Sequence, residues 1–331
     1  MAGMTKRITS KQLAEFAGVS PATISRAFSA GSRISESTRD RVLSIAREHN
    51  YHPNAIARSL NNSRSDLVAI VVNAVANPCE AEQLQKLVQH LQRRGLLPIL
   101  LSCAGHEDRL QLMRSASAYQ VDQVVVFSDM VSLDDAVQIF RSSRPIIVTL
   151  EPVDDTRVSQ LRVDGSRAVQ EVVDKAVGDG RRHFAYITGR ESSWIDKQRK
   201  QWFTTALEKH GLDFIAEGHG DYSYDAGFKE TVMLLRRSKV DAVVCGNDVM
   251  AIGARDAAVG VLGRHVPDDL AIIGQDGIDM AAWECHDLTT VAIDQEAFID
   301  TIVDLIESDL ADERKGASVT LEYHVRWGST C

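Results

Sequence analysis

The chain has 331 residues, 44% of them hydrophobic and 25% charged, with a formal net charge of −9. These values fit a globular protein of two or three domains with a sizeable core, and no apolar run approaches the roughly 18 residues that cross a bilayer. The N-terminus has basic residues but no apolar stretch of the kind a secretory signal needs, so a cytoplasmic location without a membrane partner is expected; the five cysteines (Cys79, Cys103, Cys245, Cys285, Cys331) form no C-x-x-C pair, which argues against a disulfide framework and a zinc site.

Charge is unevenly spread. Residues 1–65 hold ten Lys/Arg against four Asp/Glu, a net +6, and the remainder holds 27 against 42, a net −15. A basic head on an acidic body is the asymmetry expected when only the head meets a polyanion. Chance clustering on a solvated face would give the same numbers, so charge alone leaves the choice open.

Three helices are expected in the head. ITSKQLAEFAG opens on Thr9 with Gln12 three residues later, a capping box. Leu13, Ala14, Phe16 and Ala17 would form its apolar face, and Gly18 would end it in the left-handed conformation. VSPATISRAF follows, with Ser20 as N-cap and Pro21 in the first turn. Ile24, Ala27 and Phe28 would face inward and Thr23, Ser25 and Arg26 outward. A third helix would begin at Ser35, with Val42, Leu43 and Ala46 inside, and be stopped by Pro53. Two helices joined by a Gly turn with a third across them make a helix-turn-helix unit. Its second helix is short and polar, suited to the major groove, where Arg26 could bond guanine O6 and N7 together. A helical bundle without a nucleic-acid role is the competing reading, and the charge asymmetry weighs against it. Beyond Pro53, Asn54 can cap a helix of about two turns, too short to be stable alone in water.

The body alternates apolar strands with amphipathic helices. LVAIVV, LLPILL, QVVVF and PIIVTL, then HFAYIT, AVVCG and DLAIIG, read as buried parallel strands. Two such series predict two doubly wound lobes, with ligands at the carboxyl ends of the strands. Phe127, Glu151, Asn247 and Asp276 fall at those ends. Each could equally be a capping or turn residue; several converging polar groups are harder to dismiss.

The motifs A-G-V-S-x-x-T-x-S-R (Ala17–Arg26), S-E-x-T-R-x-R-V (Ser35–Val42) and Y-x-P-N-x-x-A-R-S-L (Tyr51–Leu60) resemble the DNA-binding head of the lac repressor family of bacterial transcription regulators. NDVMAIGA (Asn247–Ala254), VPDDLAIIGQDG (Val266–Gly277) and LTTVAIDQ (Leu288–Gln295) extend the resemblance over nearly the whole chain. It implies an all-α helix-turn-helix head, residues 1–52, and a hinge helix and linker, 53–65. It further implies a two-lobed α/β body like that of periplasmic binding proteins, 66–331, one lobe covering about 66–162 and 292–325 and the other about 163–291. DNA contacts are then expected at Thr9, Ser20, Pro21, Ala22, Thr23, Ser25 and Arg26, and in the hinge at Asn54, Ala57, Arg58 and Leu60. Pro21, Ala22 and Arg26 take base-reading positions, and Leu60 takes the place of an apolar wedge in the minor groove. Effector contacts are expected at Cys79, Glu80, Phe127, Glu151, Trp194, Arg199, Tyr222, Asn247, Asp276 and Gln295.

The sequence departs from the family pattern at Asn77-Pro78-Cys79-Glu80, where the family often has N-P-F-F. It departs again at Gly274-Gln275-Asp276-Gly277, in place of G-F-D-D, and at Trp202, in place of the Gly before Phe203. A repressor released from a palindromic operator by a small sugar or glycoside is the function implied, with a homodimer expected because TLEYHVRWGS is followed by no apolar heptad tail. A corepressor-type regulator, and a sugar or small-acid receptor with no DNA role, are the alternatives; the second conflicts with the basic head. No G-x-S-x-G, H-E-x-x-H or G-x-x-x-x-G-K-[ST] signature occurs, so neither a catalytic residue nor a cofactor is expected.

Overall fold

The computed structural model describes residues 8–28, 32–53, 64–73, 75–103, 108–127, 131–141, 143–150, 153–311 and 316–331. The chain divides into two compact units, Met1–Ser65 and Asp66–Cys331. Asn54, Ala57, Arg58 and Leu60 of the expected hinge, and Glu151, lie outside the described residues.

The first unit contains helices α1 (Ser10–Ala17), α2 (Pro21–Ala27) and α3 (Glu36–Glu48). The capping box forms: Gln12 N–H donates to Thr9 Oγ1 at 3.3 Å and Thr9 N–H to Gln12 Oε1 at 2.9 Å. Gly18 ends α1 at φ +61°, a conformation a side chain would resist. Thr23 N–H donates to Ser20 Oγ at 3.1 Å, so α2 is capped as its sequence predicts. Leu13, Ala14, Ala17, Ile24, Ala27, Val42 and Ala46 form the core. Phe16 is not in it. It is 53% exposed and stacks on His49 with ring centroids 4.4 Å apart, because one eight-residue helix can turn only one narrow stripe toward two neighbours. Leu43 is half-buried, and α3 ends at Glu48, with the chain turning at Asn50 (φ +48°), the first of the residues 50–52 ahead of Pro53.

The second unit contains two six-stranded sheets. The first has the order β11-β5-β4-β3-β1-β2, built from β1 (Leu67–Val72), β2 (Leu97–Ser102), β3 (Gln123–Val126), β4 (Ile146–Thr149), β5 (Ser159–Asp164) and β11 (Ser318–Glu322). All its pairings are parallel. The second has the order β12-β10-β9-β8-β6-β7, built from β6 (Phe184–Thr188), β7 (Phe214–His219), β8 (Ala242–Cys245), β9 (Ala271–Asp276), β10 (Thr289–Ala292) and β12 (His324–Arg326). Only β12 runs antiparallel, against β10. Near-continuous burial along β1, β3, β6, β8 and β9 follows from helices on both faces. The helices are α4 (Pro78–Arg93), α5 (Arg109–Ser117), α6 (Leu133–Ile139) and α11 (Gln295–Leu310) with the first sheet. With the second are α7 (Ser166–Gly178), α8 (Trp194–Glu208), α9 (Tyr224–Arg237) and α10 (Asp248–Gly260).

The expected doubly wound lobes are present, with two differences. TLEYHVRWGS is not one strand: Ser318–Glu322 pairs with β5 in the first sheet and His324–Arg326 with β10 in the second, and Tyr323 is the single residue between them. The lobe expected to run to residue 325 therefore ends at Glu322. The strand pattern also omits β5, β7 and the four-residue β10, TTVA. β5 carries Gln160 and Arg162, β7 alternates exposed and half-buried residues at a sheet edge, and half of β10 is threonine, so none of them reads as an apolar run.

Candidate functional site

Two places in the chain bring together the residues singled out by sequence. The first is the outer face of α2. Ser20, Pro21, Ala22, Ser25 and Arg26 are exposed, as is Thr9 at the start of α1, while Thr23 is half-buried. Ser20 and Thr23 are already engaged, their hydroxyls 2.9 Å apart within the cap. Arg26 is therefore the longest donor this face can extend outward. Arg39 holds the far end of α2 in place, donating to Ala27 O at 3.1 Å.

The second is a cleft in the second unit, of about 890 Å³ with its open mouth included, at the carboxyl ends of strands from both sheets. Cys79, Glu80, Phe127, Trp194, Arg199, Tyr222, Asn247 and Asp276 all line it. Gln295 does not: it opens α11, its amide atoms buried without a hydrogen-bond partner among the described residues, and Ile293 and Phe298 occupy the cleft on either side of it.

Arg199 is the centre of the cleft. It projects from α8 and is buried, donating to Gly246 O at 3.0 Å, Asp276 Oδ1 at 2.7 Å and Tyr323 Oη at 3.3 Å. Asp276 is buried at the end of β9, with φ +123°, so its backbone is held in a region that side chains disfavour. Burial pushes its carboxyl above the usual range, and Arg199 pulls it back. Its second oxygen accepts no hydrogen bond from the described residues and is open to a ligand donor. Asn247 is both a cap and a cleft residue. Its Oδ1 accepts from Met250 N–H at 2.9 Å, and its Nδ2 donates to Tyr222 O at 3.2 Å. The turn-residue reading of Asn247 is thus met by its cap bond, and the same residue lines the cleft.

Aromatic faces complete the cavity. Tyr222 (φ +73°) donates to Ser193 Oγ at 2.9 Å, and the Arg190 guanidinium lies over its ring at 5.1 Å. A Cβ on Gly189 would stand 2.1 Å from that ring, so glycine is what lets the tyrosine close the wall. Cys79 packs against apolar residues of the second lobe, and burial first, then Asp276, pushes its thiol well up; it is a neutral apolar surface at physiological pH. Glu80 accepts from Asn73 N–H at 3.1 Å. Sequence reasoning left Asn73, Ser193, Phe298 and Tyr323 out of the site. The first two are turn and cap residues beside predicted strand ends, a signal that was available. Phe298 and Tyr323 enter only through the crossovers between lobes.

Asp248 lies behind the cleft. Its Oδ2 accepts from Gly277 N–H at 2.7 Å and Ile278 N–H at 2.9 Å, and its Oδ1 is 2.5 Å from Thr290 Oγ1. Burial, then the nearby Asp276 charge, pushes its carboxyl up to about 7, against the opposing pull of those hydrogen bonds and Arg326. The folded state thus binds this proton up to a higher pH than the unfolded chain, whose Asp titrates near ~4. Stability from this group is present below ~4 and is lost as pH rises toward about 7. Asp248→Asn keeps the pattern, its amide oxygen accepting both N–H groups and its NH2 donating to Thr290. It is expected to flatten this loss, at most about 1.4 kcal/mol per pH unit, in urea titrations at pH 5, 6 and 8; an unchanged slope would remove Asp248 as its source.

The family described as bacterial regulatory proteins, lacI family, matches residues 9–54, and a periplasmic binding protein-like domain matches residues 173–331. The HTH-type transcriptional repressor CytR of Escherichia coli (strain K12) is 28% identical over 291 residues, covering 86% of this chain and 84% of that protein. Catabolite control protein A of Priestia megaterium is 27% identical, with 86% and 87% covered, and the ribose operon repressor of Escherichia coli (strain K12) is 26% identical, with 90% and 92% covered. Among solved structures, the lac repressor dimer bound to operator and the anti-inducer ONPF superposes with a TM-score of 0.87 at 23% identity, covering 98% of this chain and 99% of that one. The transcriptional regulator CelR–cellobiose complex gives 0.70 at 24% identity, covering 98% and 100%. At these identities the structural matches are matches of fold. Residues 9–54 therefore match the lacI family of bacterial regulatory proteins, residues 173–331 match a periplasmic binding protein-like domain, and repressors at 26–28% identity align over most of the chain.

Proposed function

We propose that this protein is an effector-responsive, DNA-binding transcription regulator, a repressor that a small sugar or glycoside releases from a palindromic operator. One observation carries the reading: a single chain joins a helix-turn-helix unit whose second helix exposes Arg26 to a body whose cleft gathers polar and aromatic residues from two sheets. The family that residues 9–54 match is one of regulatory proteins, and no residue is assigned a catalytic role. Among the described residues no helix is long and apolar enough to cross a membrane, in keeping with a protein that works on DNA in the cytoplasm.

The chemistry of the cleft favours a neutral polyhydroxylated ligand. Arg199 is already neutralised by Asp276, so little net positive charge is left for an anion. Asp276, Asn247 and Glu80 offer groups for hydroxyls, and Trp194, Tyr222 and Phe127 offer apolar faces for the C–H side of a ring. The ribose in the name of one relative, the ribose operon repressor, and the cellobiose of the CelR complex are compounds of this class. In operation, two protomers pair through their bodies and present two heads to half-sites about one helical turn apart. Residues 53–65 form the hinge, with Asn54, Ala57, Arg58 and Leu60 on the minor groove. The effector needs only a different affinity for the DNA-bound and released arrangements.

Arg26→Ala is expected to lose roughly 1–3 kcal/mol of operator affinity and to relax the preference at one base position, while binding to random DNA changes little. Gel-shift titration against an operator and its single-base variants measures this, and an unchanged base preference would take Arg26 out of the readout. A thermal-shift screen with D-ribose, cellobiose, lactose and small organic acids tests the ligand class. A sugar that raises the melting temperature and releases operator supports the proposal, and stabilisation by acids alone overturns it.

A further inference from the structure

Trp202 stands where the resembling family has glycine, and its surroundings are specific. The two lobes are joined at three crossovers: after Asp164, after Ala292 and at Tyr323. Trp202 meets two of them. A Cβ on Gly165, the residue that follows β5, would lie 2.6 Å from Trp202 Cζ3 and 3.0 Å from Tyr323 Cδ2, so the indole and the phenol are both pressed onto that glycine. The Trp202 and Tyr323 rings meet edge to face, with centroids 6.3 Å apart at 69°. Both side chains pack against the core of each lobe. Tyr323 also ties the crossovers to each other, its N–H donating to Asp164 O at 2.9 Å, while its hydroxyl accepts from Arg199 in the cleft at 3.3 Å.

We propose that Trp202 and Tyr323 form a clamp across the lobe hinge that holds the relative setting of the two lobes and, through the Tyr323 hydroxyl, positions Arg199. Glycine at 202 leaves such a hinge without a wedge. Here an aromatic pair fills it, and the same pair reaches the buried arginine at the centre of the cleft. The clamp deepens the sensor reading above and rests on it for its purpose, but its physical content concerns the ligand-free protein. A lobe movement must either slide the indole past Gly165 or separate it from Tyr323, so resistance to opening resides in these three residues. Trp202 and Tyr323 are positioning residues.

Hydrogen–deuterium exchange on the full chain without any ligand tests this. Trp202→Leu removes the edge-to-face pair while keeping most of the apolar bulk, and Tyr323→Leu removes it from the other side. Each is expected to speed exchange about tenfold in the segments 160–166 and 320–326, with the amides of β8 as protected as before. Trp202→Phe, which keeps an aromatic wedge, should stay near the wild type. Unchanged exchange at both crossovers in the leucine variants overturns the clamp, and so does a rise spread evenly over the whole body. The screen for sugars enters nowhere, so a failed effector search leaves this result standing and a failed clamp leaves the sensor reading intact.

Discussion

Arg199→Ala is expected to destabilise the body by about 3–5 kcal/mol, the usual cost of removing one partner from a buried ion pair. Two charges compete here. The guanidinium has left water, a loss offset by Asp276 Oδ1 at 2.7 Å, Gly246 O and Tyr323. Removing it leaves a buried carboxylate with no counter-charge, and the Asp276 carboxyl, already pushed up by burial, loses the group that pulls it down. The deficit should therefore shrink as pH falls, because a protonated Asp276 needs no cation. Adding Asp276→Asn should recover much of the loss at pH 8, which separates an unpaired charge from a lost packing contact. All four tryptophans, Trp194, Trp202, Trp283 and Trp327, lie in the second unit, so tryptophan emission during urea unfolding follows that unit alone. An Arg199→Ala body as stable as the wild type, with no dependence on pH, would show that the pair contributes nothing and that Arg199 is held in place by other means.

Asp309→Ala is expected to cost nearly as much, about 3 kcal/mol, for a related reason near the C-terminal end of α11. The Asp309 side chain is 3% exposed. It accepts from Arg144 Nη1 at 3.0 Å, Ser159 Oγ at 3.1 Å and Gln123 Nε2 at 3.2 Å. One carboxylate thus joins the first residue of β3, the first residue of β5 and the approach to β4. Arg144 is 20% exposed and can keep some water when its partner is gone, which places the cost at the low end of the range. Asp309→Asn retains one acceptor and should lose less than half as much. Urea midpoints read by tryptophan emission rank the three proteins, and an alanine variant no less stable than the asparagine one would rule out the network. α11 spans 16 residues, about 24 Å at 1.5 Å per residue, with Phe298 in the cleft near one end and Asp309 at the other. Sugar affinity of Asp309→Ala should therefore stay within about threefold of wild type once the protein is folded.

Much of this architecture can be read from local signals. The capping box at Thr9, the caps at Ser20 and Ser35 and the left-handed Gly18 all form as their sequences predict, because each depends on hydrogen bonds spanning three or four residues. The apolar runs became central strands because helices cover both faces of each sheet, except LLPILL, which forms the edge strand β2 with Leu97 and Leu100 exposed. Asn247 and Asp276 were legible as cleft residues from their places at strand ends. Phe16 was misread because its periodicity fits an inward face, and only the number of neighbouring helices decides how wide that face is. β5 and β7 were missed because a polar residue can sit in a parallel strand once its partners in the fold satisfy it, as Gln160 does with Val153 through bonds of 2.6 and 2.9 Å.

The order of caps, apolar strands and charged head was written in short stretches of the chain, so the sequence by itself determined two classes of unit and the family resemblance. Which charges meet was decided by the tertiary structure alone. Arg199 and Asp276 are 77 residues apart in the chain, Arg199 and Tyr323 are 124 apart, and Asp309 meets residues 150 to 186 positions away. Those pairs arise because three crossovers thread the chain through two sheets, and burial, which turns a surface charge into a group that must be paired, exists only once the sheets have closed over it.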